Sequence, residues 1–291
     1  MRKHLLPYFL LRILKKIKLL KYVKLNAIIY IEGGIAKIPV NKGVGYPNLF
    51  LHQDCFTPLF RKFCPENRGS FVDIGTNIGQ TLLKAIDRSI NYVGFEPNPI
   101  CFSYIKELIL INNYGNCRVE NFALSDKEQK LVLRMNENSD ASASVVESLR
   151  PNYFVDSQVI NCIPYDSLYL DNQLSFVKID VEGAELEVLA GMKESISRYK
   201  PLILCEVLDS FSSEVLEFTQ DRASKVCALL KEIGYQAIQL NQAKNKLKSF
   251  KLLDSITIKQ WTLESYDLND YLFFHTSKQA EVLSALKTLC V

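Results

Sequence analysis

Histidine and closely spaced cysteine are scarce in this 291-residue sequence, and their scarcity excludes several kinds of site. Three histidines are too few for a histidine-rich metal centre. The eight cysteines never form a CxxC pair, and some of them, such as Cys205, lie inside apolar strand patterns. We therefore expect reduced, buried thiols in a cytoplasmic protein, and neither a zinc site nor a disulfide framework.

Acidic residues are missing from the first 24 positions, which hold eight lysines and arginines. The other 267 residues carry 27 basic and 32 acidic side chains. The body of the chain therefore lacks the basic surface on which nucleic-acid-binding proteins depend, and we predict no nucleic-acid partner.

In residues 5–25, leucine, isoleucine and valine recur with helical periodicity between lysines. Charge interrupts this stretch too often for it to span a bilayer, and it lacks the small-residue cleavage site of a signal peptide. Two interpretations of this basic amphipathic helix remain open. Either it lies on an anionic membrane surface, where each cation near the headgroups contributes about 1 kcal/mol, or its apolar face packs on protein, in this domain or in a homodimer.

Apolar residues make up 48% of the chain, which is enough for one large core. We predict three parts: an N-terminal helix over 1–25, a hairpin and helix lead-in over 26–66, and one large domain over 67–291. In the lead-in, two β-rich runs within 27–40 flank a Gly-Gly turn and predict the hairpin, and 49–63 predicts the helix. His52 lies in that helix and is a candidate to face the substrate; a surface or core-edge position is the alternative.

Residues 70–86, SFVDIGTNIGQTLLKAI, combine a buried strand, a glycine turn and the start of a helix. Asn77 stands where a dinucleotide-binding GxGxxG loop has its second glycine, and no P-loop lysine follows. Asp73 ends the strand and is expected to face the ligand, where its charge repels phosphate and suits the ammonium and sulfonium groups of S-adenosylmethionine. The next strand ends at Glu96, 21 residues after Gly75, where a carboxylate usually holds a ribose diol.

Strands and helices alternate from residue 70 onward. This order predicts an α/β fold with a doubly wound, mostly parallel sheet that binds its ligands at the carboxyl ends of the strands. A single helix is predicted over 184–198. Residues 136–148 are polar, small and aperiodic, and we interpret them as a substrate lid rather than a plain linker. Residues 241–270 show no clear pattern and are predicted as a loop.

Five segments occur in a characteristic order: VDIGTNIG, GFEPNP, NFALSDKEQKLVL, KIDVEGAE and LILCEV. In motif order and spacing they resemble the FkbM-type S-adenosylmethionine-dependent methyltransferases over about residues 45–276, and KIDVEGAE is the most specific of them. The resemblance implies a Rossmann-like class I methyltransferase sheet with an antiparallel last strand. It also implies S-adenosylmethionine as the cofactor, and methylation of hydroxyl groups on sugars, glycolipids or polyketides.

The same resemblance implies which residues contact the cofactor. Around its amino-acid part lie Asp73, Gly75, Asn77 and Gly79. Glu96 holds the ribose. Beside the adenine lie Phe122, Ala123 and Leu124.

Methyl transfer to a hydroxyl needs a base, because a hydroxyl is a poor nucleophile until its proton is accepted. The topology brings Asp180 and Glu182 to the ligand edge of the sheet. We predict Asp180 as the base or acceptor-orienting carboxylate, with Glu182 supporting it and buried Lys178 tuning it. Both acids precede a predicted helix, so helix capping is the alternative. Glu206 adds a third carboxylate, but no spacing requires a metal ion and none is predicted.

The predicted function is an O-methyltransferase acting on a hydroxyl of a saccharide or lipid-linked saccharide. The basic leader and the polar lid favour this acceptor. Two alternatives remain: a methyltransferase for a polyketide or other small-molecule hydroxyl, and a cofactor-binding scaffold that has lost turnover.

Overall fold

Strands and helices alternate along most of the chain in the computed structural model. It describes residues 5–31, 34–51, 54–64, 69–85, 90–136, 142–168, 173–243, 245–262, 265 and 268–290. The helices of these ranges are α1 (Leu5–Lys16), α2 (Phe56–Phe63), α3 (Gln80–Ala85), α4 (Pro99–Asn112), α5 (Glu185–Ala190), α6 (Lys193–Tyr199), α7 (Leu216–Glu232) and α8 (Gln279–Leu289). The strands are β1 (Lys24–Ile31), β2 (Gly34–Asn41), β3 (Ser70–Ile74), β4 (Asn91–Phe95), β5 (Cys117–Glu120), β6 (Ala123–Leu124), β7 (Gln129–Met135), β8 (Asp156–Ile163), β9 (Leu174–Ile179), β10 (Leu202–Glu206), β11 (Tyr235–Ala243), β12 (Lys246–Leu253) and β13 (Asp270–His275).

The central sheet has the strand order β12-β11-β13-β10-β9-β3-β4-β5. The adjacent strands β10, β9, β3, β4 and β5 run parallel to one another. Strand β13 is antiparallel to both of its neighbours, β10 and β11. The chain winds outward from β3 to β5 and then returns to β9 on the other side of β3. This arrangement confirms the predicted α/β fold class and places a topological switch point between β3 and β9.

Aromatic side chains pack helix α2 of the lead-in against strands β3 and β9 of the central sheet. The ring of Phe71 in β3 stacks on that of Phe176 in β9, with centroids 5.2 Å apart, and meets the edge of Phe60 in α2 at 5.1 Å. All three are almost completely buried. Burying a side chain of this size stabilises a fold by roughly 1.5–3 kcal/mol, so α2 is fixed over the start of β3.

A smaller three-stranded sheet, in the order β6-β8-β7, stands beside the central one. Strand β5 ends at Glu120, because the chain then leaves the central sheet and pairs Ala123 with Cys162 of β8. This small sheet carries the segment that follows β7 toward the carboxyl ends of the central strands.

Two predicted helices are each divided in the structure. The helix predicted over 49–63 is a 3-10 turn at Pro47–Phe50 followed by α2, because an Asp54 carboxylate oxygen accepts the backbone N–H groups of Phe56 and Thr57 and starts a new helix. His52 lies outside the described residues. The helix predicted over 184–198 is α5 and α6.

The start of α6 is set by a side chain from outside the helix. Both carboxylate oxygens of Asp166 accept backbone N–H groups of its first turn, from Glu194 at 2.8 Å and Ser195 at 3.0 Å. A cap of this kind satisfies N–H groups that have no partner within a helix. The division of 184–198 thus depends on a residue about 28 positions earlier, which helical periodicity does not reveal.

The stretch predicted as a loop over 241–270 is wrong in its first part, because β12 forms an outer strand antiparallel to β11. Most of its side chains are exposed or half-buried, and only Leu247 is fully buried. A strand with a single buried side chain lacks the alternation of apolar and polar residues that identifies a half-buried strand.

The N-terminal helix is shorter than predicted. Helix α1 ends at Lys16, Lys18 takes a positive φ of 58°, and β1 begins at Lys24 and pairs with β2 as the predicted hairpin. On α1, Leu11 is 2% exposed whereas the neighbouring Leu10 is 56% exposed. None of the helices in the described ranges combines the length and apolarity needed to cross a membrane.

Candidate active site

A cavity of about 1380 Å³ opens at the carboxyl ends of the central strands. Its lining includes the loops after β3, β4, β9 and β10 and the first residue of β13. Binding pockets for one small molecule are typically about 300–1,000 Å³. The cavity therefore has room for a cofactor and part of a second molecule.

The glycine loop after β3 is shaped by its contact with the loop after β9. Gly75 has a φ of +82°, and a Cβ atom there would lie 1.9 Å from the carbonyl oxygen of Asp180. Only glycine therefore lets the two loops meet. Asn77 follows in the left-handed region, with a φ of +46°, and its backbone N–H donates to Glu96 Oε2 at 2.6 Å.

Glu96 ends β4 and is the acid that faces this loop. It is 6% exposed and lines the cavity, and its other carboxylate oxygen accepts the N–H of Asn98 at 2.9 Å. Burial raises the pKa of Glu96 to about 7, although the two backbone donors lower it. Each oxygen keeps a second lone pair for an incoming hydroxyl, so the carboxylate fits a ribose diol.

Thr76, also in the cavity lining, gives a second sign of a ligand. Its hydroxyl oxygen is buried and has no hydrogen-bond partner among the described residues. A buried polar atom of this kind costs free energy unless something bonds to it. Together with Glu96, it makes the residues around the glycine loop compatible with a polar cofactor such as S-adenosylmethionine.

Three of the predicted cofactor residues lie behind the cavity wall. Asp73 is fully buried beneath the loop and outside the cavity lining, where the Tyr92 hydroxyl donates to one of its carboxylate oxygens. Burial raises its pKa to about 6, which the nearby Lys178 opposes. Gly79 packs against α4, and the ring of Phe122 lies against that of Phe95.

The other predicted cofactor residues share the cavity lining: Gly75, Asn77, Glu96, Ala123 and Leu124. They come from three separate segments: the loop after β3, the end of β4 and strand β6. The structure thus gathers them into one place, and their individual contacts with the cofactor stay a prediction.

Asp180 lies directly after β9, in the part of the lining next to Gly75. Its carboxylate accepts a hydrogen bond from Lys178 Nζ at 2.7 Å. Burial acts to raise the pKa of Asp180, but the charge and hydrogen bond of Lys178 outweigh it, and the pKa is lowered. Asp180 is therefore ionised at neutral pH and able to accept a proton.

Glu182 is held by Ser144 of the predicted lid, 136–148, and by Arg150, two residues beyond the predicted end of the lid. Arg150 Nη2 lies 2.6 Å from its carboxylate, and the Ser144 hydroxyl donates to its backbone carbonyl at 2.6 Å. Burial and the charge of Asp180 raise the pKa of Glu182 to about 7, against the pull of Arg150. The segment 142–150 is thus attached to the KIDVEGAE loop.

The helix-capping alternative for these two acids is not what the structure has. Ala184 occupies the N-cap position of α5, and the N–H of Gly183 donates to Glu185 at 2.8 Å. The carboxylates of Asp180 and Glu182 are instead engaged by Lys178 and Arg150.

Two further carboxylates join Asp180, and sequence reasoning had given neither a catalytic or cofactor role. Glu206 ends β10 and pairs in register with Asp270, the first residue of β13. Burial and the charge of Asp180 raise the pKa of Glu206 well above its usual range and that of Asp270 to about 7. The only sequence signal was an acid flanking each apolar run: Glu206 follows LILC and Asp270 precedes YLFF.

The carboxylate oxygens of Asp180, Glu182 and Glu206 lie within 4.8 Å of one another. Such a group can share a divalent cation. Here the ammonium of Lys178 contacts the carboxylate of Asp180, and the guanidinium of Arg150 contacts that of Glu182.

Comparison with solved structures gives matches at low identity and with TM-scores below 0.5. An FkbM methyltransferase from Methylobacillus flagellatus KT shares 18% identity at a TM-score of 0.43, over 71% of this chain and 43% of its own. TYW2 of M. jannaschii, solved with AdoMet, shares 10% identity at a TM-score of 0.39, over 85% of this chain and 84% of its own. The chain thus spans less than half the length of the first of these proteins.

The curated proteins contain no significant match to this sequence. A family model, described as the methyltransferase FkbM domain, matches residues 73–237. The match covers more than half of the chain. It begins at the end of β3 and ends in β11, so it includes the glycine loop, Glu96 and the carboxylates after β9 and β10. The chain belongs to the FkbM family of S-adenosylmethionine-dependent methyltransferases.

Proposed function

We propose that the protein transfers the methyl group of S-adenosylmethionine to a hydroxyl of a saccharide or lipid-linked saccharide. The observation that carries this proposal is the position of Asp180. It is an ionised carboxylate in the wall of a cavity larger than one ligand needs, next to the glycine loop on one side and to Glu206 on the other.

The cofactor, when bound, supplies an electrophilic methyl group on a sulfonium. We assign the ribose to Glu96 and the amino-acid part to the loop containing Gly75 and Asn77. Ala123 and Leu124 are apolar residues of the lining, and we assign the adenine to them. Asp73 supports this loop from below, through Tyr92 and without contact to the ligand.

Asp180 accepts the proton that the acceptor hydroxyl loses. Lys178 keeps the carboxylate ionised before the transfer and remains beside it afterwards. A positioned base of this kind contributes typically about 10² to 10⁴ in rate. Glu182 supports the site indirectly, since its contact with Arg150 holds the lid segment over the cavity and helps to exclude water.

We further propose that the protein is cytoplasmic and lies peripherally on the anionic inner face of the membrane through its N-terminal part. Along α1 and the turn after it, Phe9, Leu10 and Ile17 are each more than half exposed, while Lys15 and Lys16 end the helix. Apolar side chains beside lysines suit an anionic lipid surface. The alternative is that this face packs against a second copy of the chain in a homodimer. We also propose that the chain divides into three parts, over 1–25, 26–66 and 67–291.

The acceptor class is tested by transfer of tritiated methyl from S-adenosylmethionine to a panel of cell-envelope saccharides and lipid-linked saccharides, with hydroxylated polyketides in parallel. We expect label in a saccharide as an alkali-stable ether. Label only in a polyketide would replace the proposed acceptor class. Tight cofactor binding without transfer to any acceptor would favour the scaffold alternative.

A further inference from the structure

Three aromatic rings from distant parts of the chain line the same cavity. They are Tyr153 after the lid, Phe211 after β10, and Trp261, the only tryptophan of the chain. Their exposed fractions are 39%, 49% and 44%. Large rings left half-exposed in a cavity wall offer apolar surface to a ligand.

Backbone hydrogen bonds hold the chain segments that carry Phe211 and Trp261 beside each other. Ser210 donates to the carbonyl of Lys259 and accepts from the N–H of Trp261, each at 2.8 Å, so the segment with Trp261 lies along the loop with Phe211. The Asp209 carboxylate accepts the Lys259 N–H at 2.9 Å. The wall is therefore built from two paired segments.

Tyr153 connects this wall to the lid. Its ring centroid lies 5.6 Å from that of Phe211, and the Arg150 guanidinium stands 5.7 Å from the Tyr153 ring. Arg150 is also the partner of Glu182. The contact between Arg150 and Glu182 thus helps to place the Tyr153 ring beside that of Phe211.

The same cavity presents carboxylates at the ends of β9, β10 and β13, namely Asp180, Glu206 and Asp270. Gln242 donates to Asp270 at 2.6 Å and fixes its orientation. Carboxylates accept hydrogen bonds from hydroxyls, while aromatic faces contact C–H groups. A ligand that matches both has apolar faces and hydroxylated edges, as a pyranose ring has.

We propose that Tyr153, Phe211 and Trp261 form the wall of the acceptor subsite, on which a pyranose ring stacks while its hydroxyls reach the strand-end carboxylates. The inference rests on the proposed function, since it names the acceptor's place in the same cavity. The glycine loop and Glu96 belong to the cofactor half, and the aromatic wall belongs to the other half. Ring size and edge hydroxyls, rather than charge, then select the acceptor.

Saturation-transfer NMR on the full chain, saturated with S-adenosylhomocysteine, tests the wall with a panel of methyl pyranosides. We expect transfer to the ring C–H protons of at least one pyranoside. Trp261→Ala and Phe211→Ala should weaken that binding about tenfold or more, as truncation of a central anchor does, and Trp261→Phe should retain most of it. Phe218→Ala is the matched control, since Phe218 is 40% exposed on α7 and lies outside the lining.

Cofactor affinity, measured on the same samples, should be equal in all variants and shows that each is folded. Pyranoside binding by Trp261→Ala and Phe211→Ala that equals binding by the parent protein overturns the wall, and so does a parent protein that binds phenols but no pyranoside. Methyl transfer to a saccharide with unchanged KM in both variants overturns the wall and leaves the proposed function standing. Pyranoside binding that depends on the rings, without methyl transfer by the parent, supports the wall and contradicts the proposed function.

Discussion

Lys178 Nζ lies 2.7 Å from Asp180 Oδ2. Lys178 is the second-last residue of β9, and Asp180 is the first residue after that strand. The same ammonium is 3.9 Å from the buried carboxylate of Asp73. Burial acts to lower the pKa of Lys178, but these carboxylates outweigh it and raise the pKa. Lys178 is therefore a permanent cation that keeps Asp180 ionised.

Removal of that cation should move the pH dependence of turnover. In Lys178→Met, burial and neighbouring carboxylates act on Asp180 without opposition from Lys178, so its pKa rises. The acidic limb of the pH profile of kcat should shift upward by the same amount, because the base must be ionised to accept a proton. Lys193→Met, which removes an exposed lysine, is the control. An unmoved acidic limb in a folded variant would remove Lys178 from the account.

Glu96 should make cofactor affinity depend on pH near neutrality. Its pKa is raised to about 7, so the carboxylate is ionised above that pH and protonated below it. Affinity for S-adenosylmethionine should rise from pH 6 to pH 8 and then level off. Glu96→Gln should bind about 1.5–3 kcal/mol more weakly at pH 8, the range for a hydrogen bond to a charged group, and should show a flat profile.

The matched control for this calorimetric series is Glu120→Gln. Glu120 pairs in register with Phe95 at the same edge of the sheet but lies outside the cavity lining. It should keep both the parental affinity and its pH dependence. Equal affinities for Glu96→Gln and the parent at pH 8 would take Glu96 out of the ribose site.

The contact between Arg150 and Glu182 should govern the lid. Arg150→Met removes the 2.6 Å ion pair and the 3.1 Å hydrogen bond to the Ser142 carbonyl. Removing one partner of a largely buried pair costs about 3–5 kcal/mol locally. We expect faster hydrogen exchange across 142–150 and a raised KM for the acceptor, with cofactor affinity preserved.

Glu182→Gln in the Arg150→Met background separates attachment from charge. It removes the carboxylate left without its partner, so it should restore thermal stability without restoring acceptor KM. Unchanged hydrogen exchange in Arg150→Met would show that the backbone bonds between Arg134 and Ser144 suffice to hold the segment.

Two faces of α1 should respond differently to the same substitution. Leu10→Asn with Ile13→Asn changes exposed positions and should abolish sedimentation with vesicles that contain anionic phosphatidylglycerol, with melting unchanged. Leu11→Asn changes a buried position and should destabilise the fold by about 2–5 kcal/mol. If the exposed pair instead turns a dimer into a monomer and leaves vesicle binding intact, the face serves a homodimer.

Local sequence was sufficient for the glycine loop and for Glu96. The strand, turn and helix of 70–86 are adjacent in sequence, and Glu96 is placed by the length of one βα unit. The direction of Asp73 was not predictable in this way. All five residues of β3 are buried, so alternation gives no face, and Tyr92 on the neighbouring strand decides where the carboxylate points.

Residues that enter the site through strand pairing were harder still to predict. Asp270 reaches Glu206 only because β13 pairs antiparallel to β10, across 64 residues of chain. Trp261 lies in a stretch without periodicity, and this stretch is positioned by two backbone hydrogen bonds to Ser210, one from the Trp261 N–H and one to the Lys259 carbonyl. Non-local pairing of this kind leaves no signal in a single sequence.

Single-turnover methyl transfer by Asp180→Asn, at saturating cofactor and acceptor, tests the central claim most directly. Asparagine keeps the size and a hydrogen-bond acceptor for Lys178 but cannot take a proton, so the rate should fall about 10² to 10⁴-fold while the affinity for S-adenosylmethionine stays at the parental value. Asp221→Asn, on the exposed side of α7, should leave the rate unchanged. A rate for Asp180→Asn within a few-fold of the parent, in a folded protein that binds the cofactor, would contradict the assignment of Asp180 as the base.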